Sequence, residues 1–180
     1  MDTNESSLCR PGGFALTRQM FQFAGIEIPE AGAAETESTD PAVPFRVIDI
    51  GCGTDGTMRW LSEHFPGWQI SGLDKNPDVH EPGWIETGCA EKLPYPDQTA
   101  DIILMECSCS KAAEPAAALQ EAYRVLKPEG WLLMSDMYAR KKELFLDGML
   151  GRLESAKTIR DRLAEAGFVL AKMQDASGTL

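Results

Sequence analysis

The stretch Val47-Ile48-Asp49-Ile50-Gly51-Cys52-Gly53-Thr54-Asp55-Gly56 constrains this chain more than any other. An apolar, β-branched run ends in glycines, and a helical pattern with Met58, Leu61 and Phe65 inward follows at once, stopped by Pro66-Gly67. That is a buried strand, a tight turn and a helix N-terminus, the arrangement that lets a backbone approach a nucleotide-like ligand closely.

The rest of the chain repeats the alternation. Gln69–Leu73 reads as a second strand ending at Asp74, Trp84–Thr87 as a short third and Ile102–Met105 as an apolar fourth. Pro115 opens a helix through Leu119, Ala122 and Leu126 to Lys127-Pro128. Trp131–Ser135 predicts a fifth strand, Thr158–Ala166 a helix closed by Gly167, and Phe168–Met173 a sixth strand. Continuous apolar strands alternating with helices specify an α/β fold, a doubly wound and mainly parallel Rossmann-like sheet. Upstream, Leu16, Met20, Phe23 and Ala24 share one face of a short helix over Thr17–Ala24, and Pro29–Pro44 reads as a mobile linker. Residues 1–44 are therefore an attachment that can move as a lid, and residues 45–180 are the ligand-binding domain.

Composition excludes several classes. With 180 residues and 43% hydrophobic content, one core can be buried. A formal charge of −11 disfavours nucleic-acid binding, since no excess of cations exists to neutralise phosphates, and Arg140-Lys141-Lys142 reads as a solvated surface. No apolar run is long enough to span a membrane, Met1–Arg10 does not read as a secretory signal, and five cysteines suit reduced thiols in a cytoplasm.

Gly51-Cys52-Gly53-Thr54-Asp55-Gly56 satisfies G-x-G-x-x-G, with Asp74 about 20 residues on, as in NAD-binding oxidoreductases. Asp49 argues otherwise: a carboxylate is awkward beside a pyrophosphate and favourable beside a cation. S-Adenosylmethionine carries an ammonium and a sulfonium and no phosphate. Asp49-Ile-Gly51-Cys-Gly53-Thr resembles the first motif of class I S-adenosylmethionine-dependent methyltransferases. Ala90–Asp97 with Ala100–Met105, and Glu121–Asp136, are similar to later segments of the same family, within its ubiquinone–menaquinone biosynthesis-like group.

The resemblance implies S-adenosylmethionine as cofactor and a small-molecule methyl acceptor. Asp49, Gly51, Cys52 and Gly53 then surround the aminoacyl end, Asp74 and Lys75 the ribose, and Cys89, Ala90 and Glu91 the adenine, with Glu106 beginning the acceptor side. Two departures stand out. Asp55 replaces a usual glycine, and either caps the following helix or reaches the cofactor's ammonium. Cys89 replaces the usual adenine-binding acid, which leaves adenine to backbone and packing.

The acceptor side begins where the fourth strand ends, at Glu106-Cys107-Ser108-Cys109-Ser110. With Ser135-Asp136-Met137-Tyr138 this stretch also resembles arsenite methyltransferases. Cys107 and Cys109 are thus candidates for gripping a thiophilic metalloid, with Cys9 or Cys89 as a third sulfur. An organic acceptor near Cys107, Asp136 and Tyr138 is the other reading, and a non-catalytic cofactor- or partner-binding module a third. No resident metal is expected. Residues 139–154, with Leu144, Phe145, Met149, Leu150 and Leu153, form either a helix on the core, an acceptor wall or a dimer contact. Arg10 and Arg18 could reach an acidic acceptor or the cofactor carboxylate from a closed lid, while His64 and His80 read as surface residues. The family's last strand has no counterpart before Leu180, and the resulting open sheet edge makes a homodimer a fair expectation.

Overall fold

The computed structural model describes residues 11–30, 44–77, 83–146 and 151–177. Cys9, Arg10, His80, Met149, Leu150, Leu180 and most of the expected linker lie outside the described residues.

Helix α1 (Gly13–Phe23) precedes strand β1 (Arg46–Ile50), helix α2 (Gly56–His64), β2 (Gln69–Asp74) and β3 (Ile85–Thr87). Then come β4 (Ala100–Glu106), a short 3-10 turn (Cys109–Lys111), α3 (Pro115–Val125), β5 (Leu126–Ser135), β6 (Leu144–Leu146), β7 (Gly151–Leu153) and α4 (Ala156–Glu165). The main sheet runs β3-β2-β1-β4-β5, with every pair parallel. β1 is central because its residues Val47, Ile48 and Ile50 are wholly buried, as only a strand covered on both faces allows. Alternate residues feed two apolar layers. Ile103 and Met105 of β4 meet α3, while Ile102 and Leu104 meet α2 and α1.

Helix α1 is docked on the second layer. Phe14 stacks on Trp60 with ring centroids 4.8 Å apart, and Phe21 packs on Phe65 and Trp68. His64, expected at the surface, is buried at the end of α2, its Nδ1 2.6 Å from the Trp60 carbonyl and its ring tilted on the Trp60 indole.

Two expectations are corrected. Phe168–Met173 is not a strand: no ladder bonds join it to any neighbour, and Val169 is 94% exposed. Its apolar sequence suits a strand, but β5 is the edge of the sheet among the described residues and nothing pairs with it there. Among the described residues of 139–154 no helix forms. β6 and β7 make an antiparallel ribbon, with Phe145 66% exposed and Gly151 in left-handed backbone (φ +59°) against the Ser110 carbonyl. No helix of the described residues is long and apolar enough to cross a membrane.

Candidate active site

The sheet order reverses between β1 and β4, and their carboxyl ends open the crevice in which this architecture binds ligands. The chain leaves β1 through Gly51 (φ +74°) and Gly53 (φ +60°), both left-handed. Gly51 has a second reason: a β-carbon there would lie 2.4 Å from the Ser108 β-carbon. Ser108 in turn donates its hydroxyl to the Ile50 carbonyl at 2.7 Å. At Gly53 a β-carbon would meet nothing within 4 Å, so this side of the turn is open. The turn is stitched to the end of β2. Gly51 N–H donates to the Leu73 carbonyl at 2.7 Å, and Gly53 N–H donates to Asp74 Oδ2 at 2.8 Å. Asp74 Oδ1 accepts the Asn76 N–H, also at 2.8 Å.

Acids crowd the turn. Asp49 and Asp55 are 2% and 3% exposed, and Glu106 is 7% exposed at the end of β4. Burial pushes the Cys52 thiol up, and the Asp49 and Asp74 carboxylates add to it, so Cys52 stays protonated. Asp55 departs from expectation. It precedes α2 with ordinary backbone angles (φ −80°), and its side chain makes no capping bond. Instead its carboxylate takes Arg59 Nε at 2.7 Å, one helical turn on. Lys75 is exposed.

The loop from Cys89 to Asp97, expected to border adenine, is held from below. Cys89 is exposed, its carbonyl accepting the Lys92 N–H, and Ala90 packs on the core. Glu91 accepts the Glu114 N–H at 3.2 Å. Burial raises its carboxyl, but the N–H groups around it and Lys75 outweigh that and hold it below the usual range. Two residues that the sequence reading missed fix this loop. Arg124 donates to the Leu93 and Tyr95 carbonyls and to Asp97, and Glu121 accepts the Leu93 N–H while pairing with Arg124. The i,i+3 spacing marks them as a pair on a helix, but carries no sign of what they fasten.

On the other side, a groove of about 1260 Å³ runs along the free edge of β5 between α1 and the segment after α4. Cys107, Ser135, Asp136 and Tyr138 line its mouth, and Leu16 and Met20 of α1 wall it. None of the residues from Asp49 to Glu91 lines it. The turn and the groove lie on either side of Glu106-Cys107, where Cys107 (φ +53°) donates its N–H to the Ser135 carbonyl at 2.7 Å. Cys109 turns away into the core with Leu119 and Leu163, and burial, then Asp136, pushes its thiol up to about 12. Cys107 thus lines the groove and Cys109 does not. Asp136 accepts the N–H and hydroxyl of Ser110 and the N–H of Met137, yet burial leaves its carboxyl raised. Tyr138 donates its hydroxyl to Asp175 at 2.8 Å. Among the described residues no group of three or more His, Cys, Asp or Glu is arranged to hold a metal ion.

Arg18, expected to reach a ligand, donates to the Ile28 carbonyl and lies over the Trp60 ring. The donor set at the turn suits a cationic ligand without phosphate: Asp49, Asp74 and Glu106 around an open glycine backbone, with no lysine or arginine in the turn itself.

The family model described as a methyltransferase domain matches residues 48–134. The chain is 26% identical over 155 residues to a malonyl-[acyl-carrier protein] O-methyltransferase of Halorhodospira halophila, covering 76% of this chain and 52% of that protein. It is 33% identical over 104 residues to a fatty-acid O-methyltransferase of Mycolicibacterium smegmatis, covering 53% and 38%. The chain therefore spans about half or less of the length of these curated relatives. The solved structure of a putative methyltransferase from Bacillus halodurans superposes with a TM-score of 0.61 at 20% identity, over 87% of this chain and 69% of that one. Parallel sheet, glycine turn and acid-lined crevice agree with these likenesses: residues 48–134 match a methyltransferase domain, and the fold is that of the class I S-adenosylmethionine-dependent methyltransferases.

Proposed function

We propose that this chain transfers a methyl group from S-adenosylmethionine to a small organic acceptor that enters through the groove along β5. The observation that carries this reading is the Asp74–Gly53 hydrogen bond, which holds a two-glycine turn open at the point where the sheet order reverses. The cofactor supplies an electrophilic methyl group on a sulfonium. Asp49, Gly51, Cys52 and Gly53 border its aminoacyl end, with Asp55 behind them. Asp74 and Lys75 stand at the ribose, and Cys89, Ala90 and Glu91 at the adenine. Residues 45–180 form the binding unit, with α1 as its cover.

Cys107, Asp136 and Tyr138 stand on the acceptor side. Methyl transfer needs an attacking atom held in line more than it needs an acid–base pair, and placement alone supplies much of the rate. A raised Asp136 carboxyl is still suited to accept a proton from an acceptor hydroxyl or amine. The walls of the groove, among them Leu16, Met20, Phe168 and Met173, favour an acceptor with an apolar portion. The fatty-acid O-methyltransferase similarity supports the same reading. A metalloid acceptor is less well served, because Cys109 sits among apolar core side chains.

Calorimetric titration with S-adenosylmethionine, NAD serving as the control, tests the cofactor half. Binding that Asp74→Ala abolishes supports it, and binding of NAD alone overturns it. Turnover of acyl or quinol acceptors, compared with arsenite, tests the acceptor half.

A further inference from the structure

The segment after α4 makes no ladder bonds, and two of its charged side chains reach across to α1 and to the residues after β5. It starts at Phe168, packed edge-on against Tyr123. Lys172 lies over the Phe23 ring of α1, with Nζ 3.8 Å from the centroid. Asp175 then meets the end of β5. One of its oxygens, Oδ2, accepts both the Tyr138 hydroxyl and Arg140 Nη2 at 2.8 Å. Arg140 Nε also donates to the Tyr138 oxygen, at 3.4 Å. A guanidinium and a phenol thus converge on one carboxylate, and all three residues line the groove beside β5.

Other charged groups along the groove are engaged with the scaffold that carries them. Arg124 pairs with Glu121 and Asp97, and Lys127 with Asp101. Asp136 is turned to the Ser110 and Met137 N–H groups. Arg140 differs: its side chain is 63% exposed, and its carboxylate partner comes from a segment 35 residues on. An exposed ion pair of this kind contributes little to stability, because water and salt screen it. A second carboxylate can therefore replace Asp175 at small cost. The apolar walls of the groove, Leu16 and Met20 among them, then favour a carboxylate that carries a chain.

We propose that Arg140 and Tyr138 form an anion-binding end of the groove, that Asp175 fills it in place of a ligand carboxylate, and that the acceptor is an amphiphile with an apolar chain and a carboxylate. This rests on the reading of the groove as the acceptor channel. Arg140 and Tyr138 are then specificity-determining residues, which select an acid over an alcohol with the same chain. Asp175 is tethered, so it competes at a high effective concentration. A carboxylate without a chain loses to it, and burial of a chain in the groove is what lets a longer acid win. Binding of such an acid frees the segment after Phe168 from the end of β5.

The test is calorimetric titration with decanoate and decan-1-ol, which share a chain and differ in charge, with S-adenosylhomocysteine present. Wild type, Asp175→Ala, Arg140→Gln and the double variant are compared. Both side chains are exposed, so the fold is expected to survive either change. Asp175→Ala is expected to tighten decanoate roughly tenfold and Arg140→Gln to weaken it by a similar factor, with decanol changing less than about twofold in either. On the Arg140→Gln background, Asp175→Ala should no longer tighten decanoate. A purely structural ion pair gives a different pattern, since removing either partner then shifts both ligands in one direction. That pattern, or no change in decanoate binding, overturns the proposal. If wild type binds decanol and not decanoate, Asp175→Ala decides: decanoate binding gained there supports the proposal, and none overturns it. Wild type and Asp175→Ala that bind neither ligand overturn the acceptor reading of the groove itself. Wild type that binds both, with Arg140→Gln unaltered, overturns only the anion site.

Discussion

The side chain of Ser108 occupies the place where a β-carbon on residue 51 would have to go, 2.4 Å from that carbon, so Gly51 and Ser108 form one interlocked joint between β1 and β4. Gly51→Ala adds this clash to a left-handed backbone angle. The expected loss is about 2–4 kcal/mol of stability, from roughly 1–2 for the angle and the rest for overpacking. Thermal or urea unfolding measures it. Ser108→Gly in the same chain should recover the steric part and leave the backbone part.

Asp74 bonds the Gly53 and Asn76 N–H groups with its two oxygens. Asp74→Asn keeps one carbonyl oxygen but turns an N–H₂ group on the other donor. Both Asp74→Asn and Asp74→Ala should weaken S-adenosylmethionine roughly tenfold or more, as read by calorimetry, with the fold intact by circular dichroism.

Arg124 ties the loop from Leu93 to Asp97 onto α3. Arg124→Ala should speed amide exchange at Leu93 and Tyr95 and weaken the cofactor several-fold. Global stability should fall by only about 1 kcal/mol, because the ion pairs are partly exposed and screened. Unchanged exchange in that loop would contradict the fastening role.

Cys109 and Tyr95 are both pushed up to about 12, by burial first. A thiol that stays protonated when folded but ionises near pH 8.5 when unfolded binds more protons in the native state. Its stability contribution is therefore complete at neutral pH and is lost as pH rises above that value. The slope for one such group is about 1.4 kcal/mol per pH unit. Unfolding free energy should fall between about pH 9 and 10, and Cys109→Ala should make that fall shallower, whatever its cost at pH 7. Tyr95 adds to the decline above about pH 10. Alkylation mapped by mass spectrometry at pH 8 should label exposed Cys89 well before Cys109.

Several strand and helix positions were legible because they are local, although the helix expected to run through Leu126 ends at Val125 and β5, expected from Trp131, begins at Leu126. The apolar runs at Val47–Ile50 and Ile102–Met105 and the proline at 115 lie within one residue of strand or helix ends, or at most two. The glycine turn and Asp74 were legible too, since a left-handed pair after a buried strand leaves few uses for the chain. Cys107 and Cys109 looked alike in sequence. The left-handed angle at Cys107 and the 3-10 turn after it send Cys109 into the core, which alternation along a strand could not foretell.

By itself, then, the sequence determined the α/β class, the position of the glycine turn and the acids around it, because periodicity, glycine placement and charge act over a few neighbouring residues. Only the tertiary structure decided that Thr17 would meet Glu106, 89 residues away, that Arg124 would hold the loop from Leu93 to Asp97, and that Phe168–Met173 would find no strand to pair with among the described residues. Those outcomes depend on which segments become neighbours when the layers pack, and no local pattern carries that information.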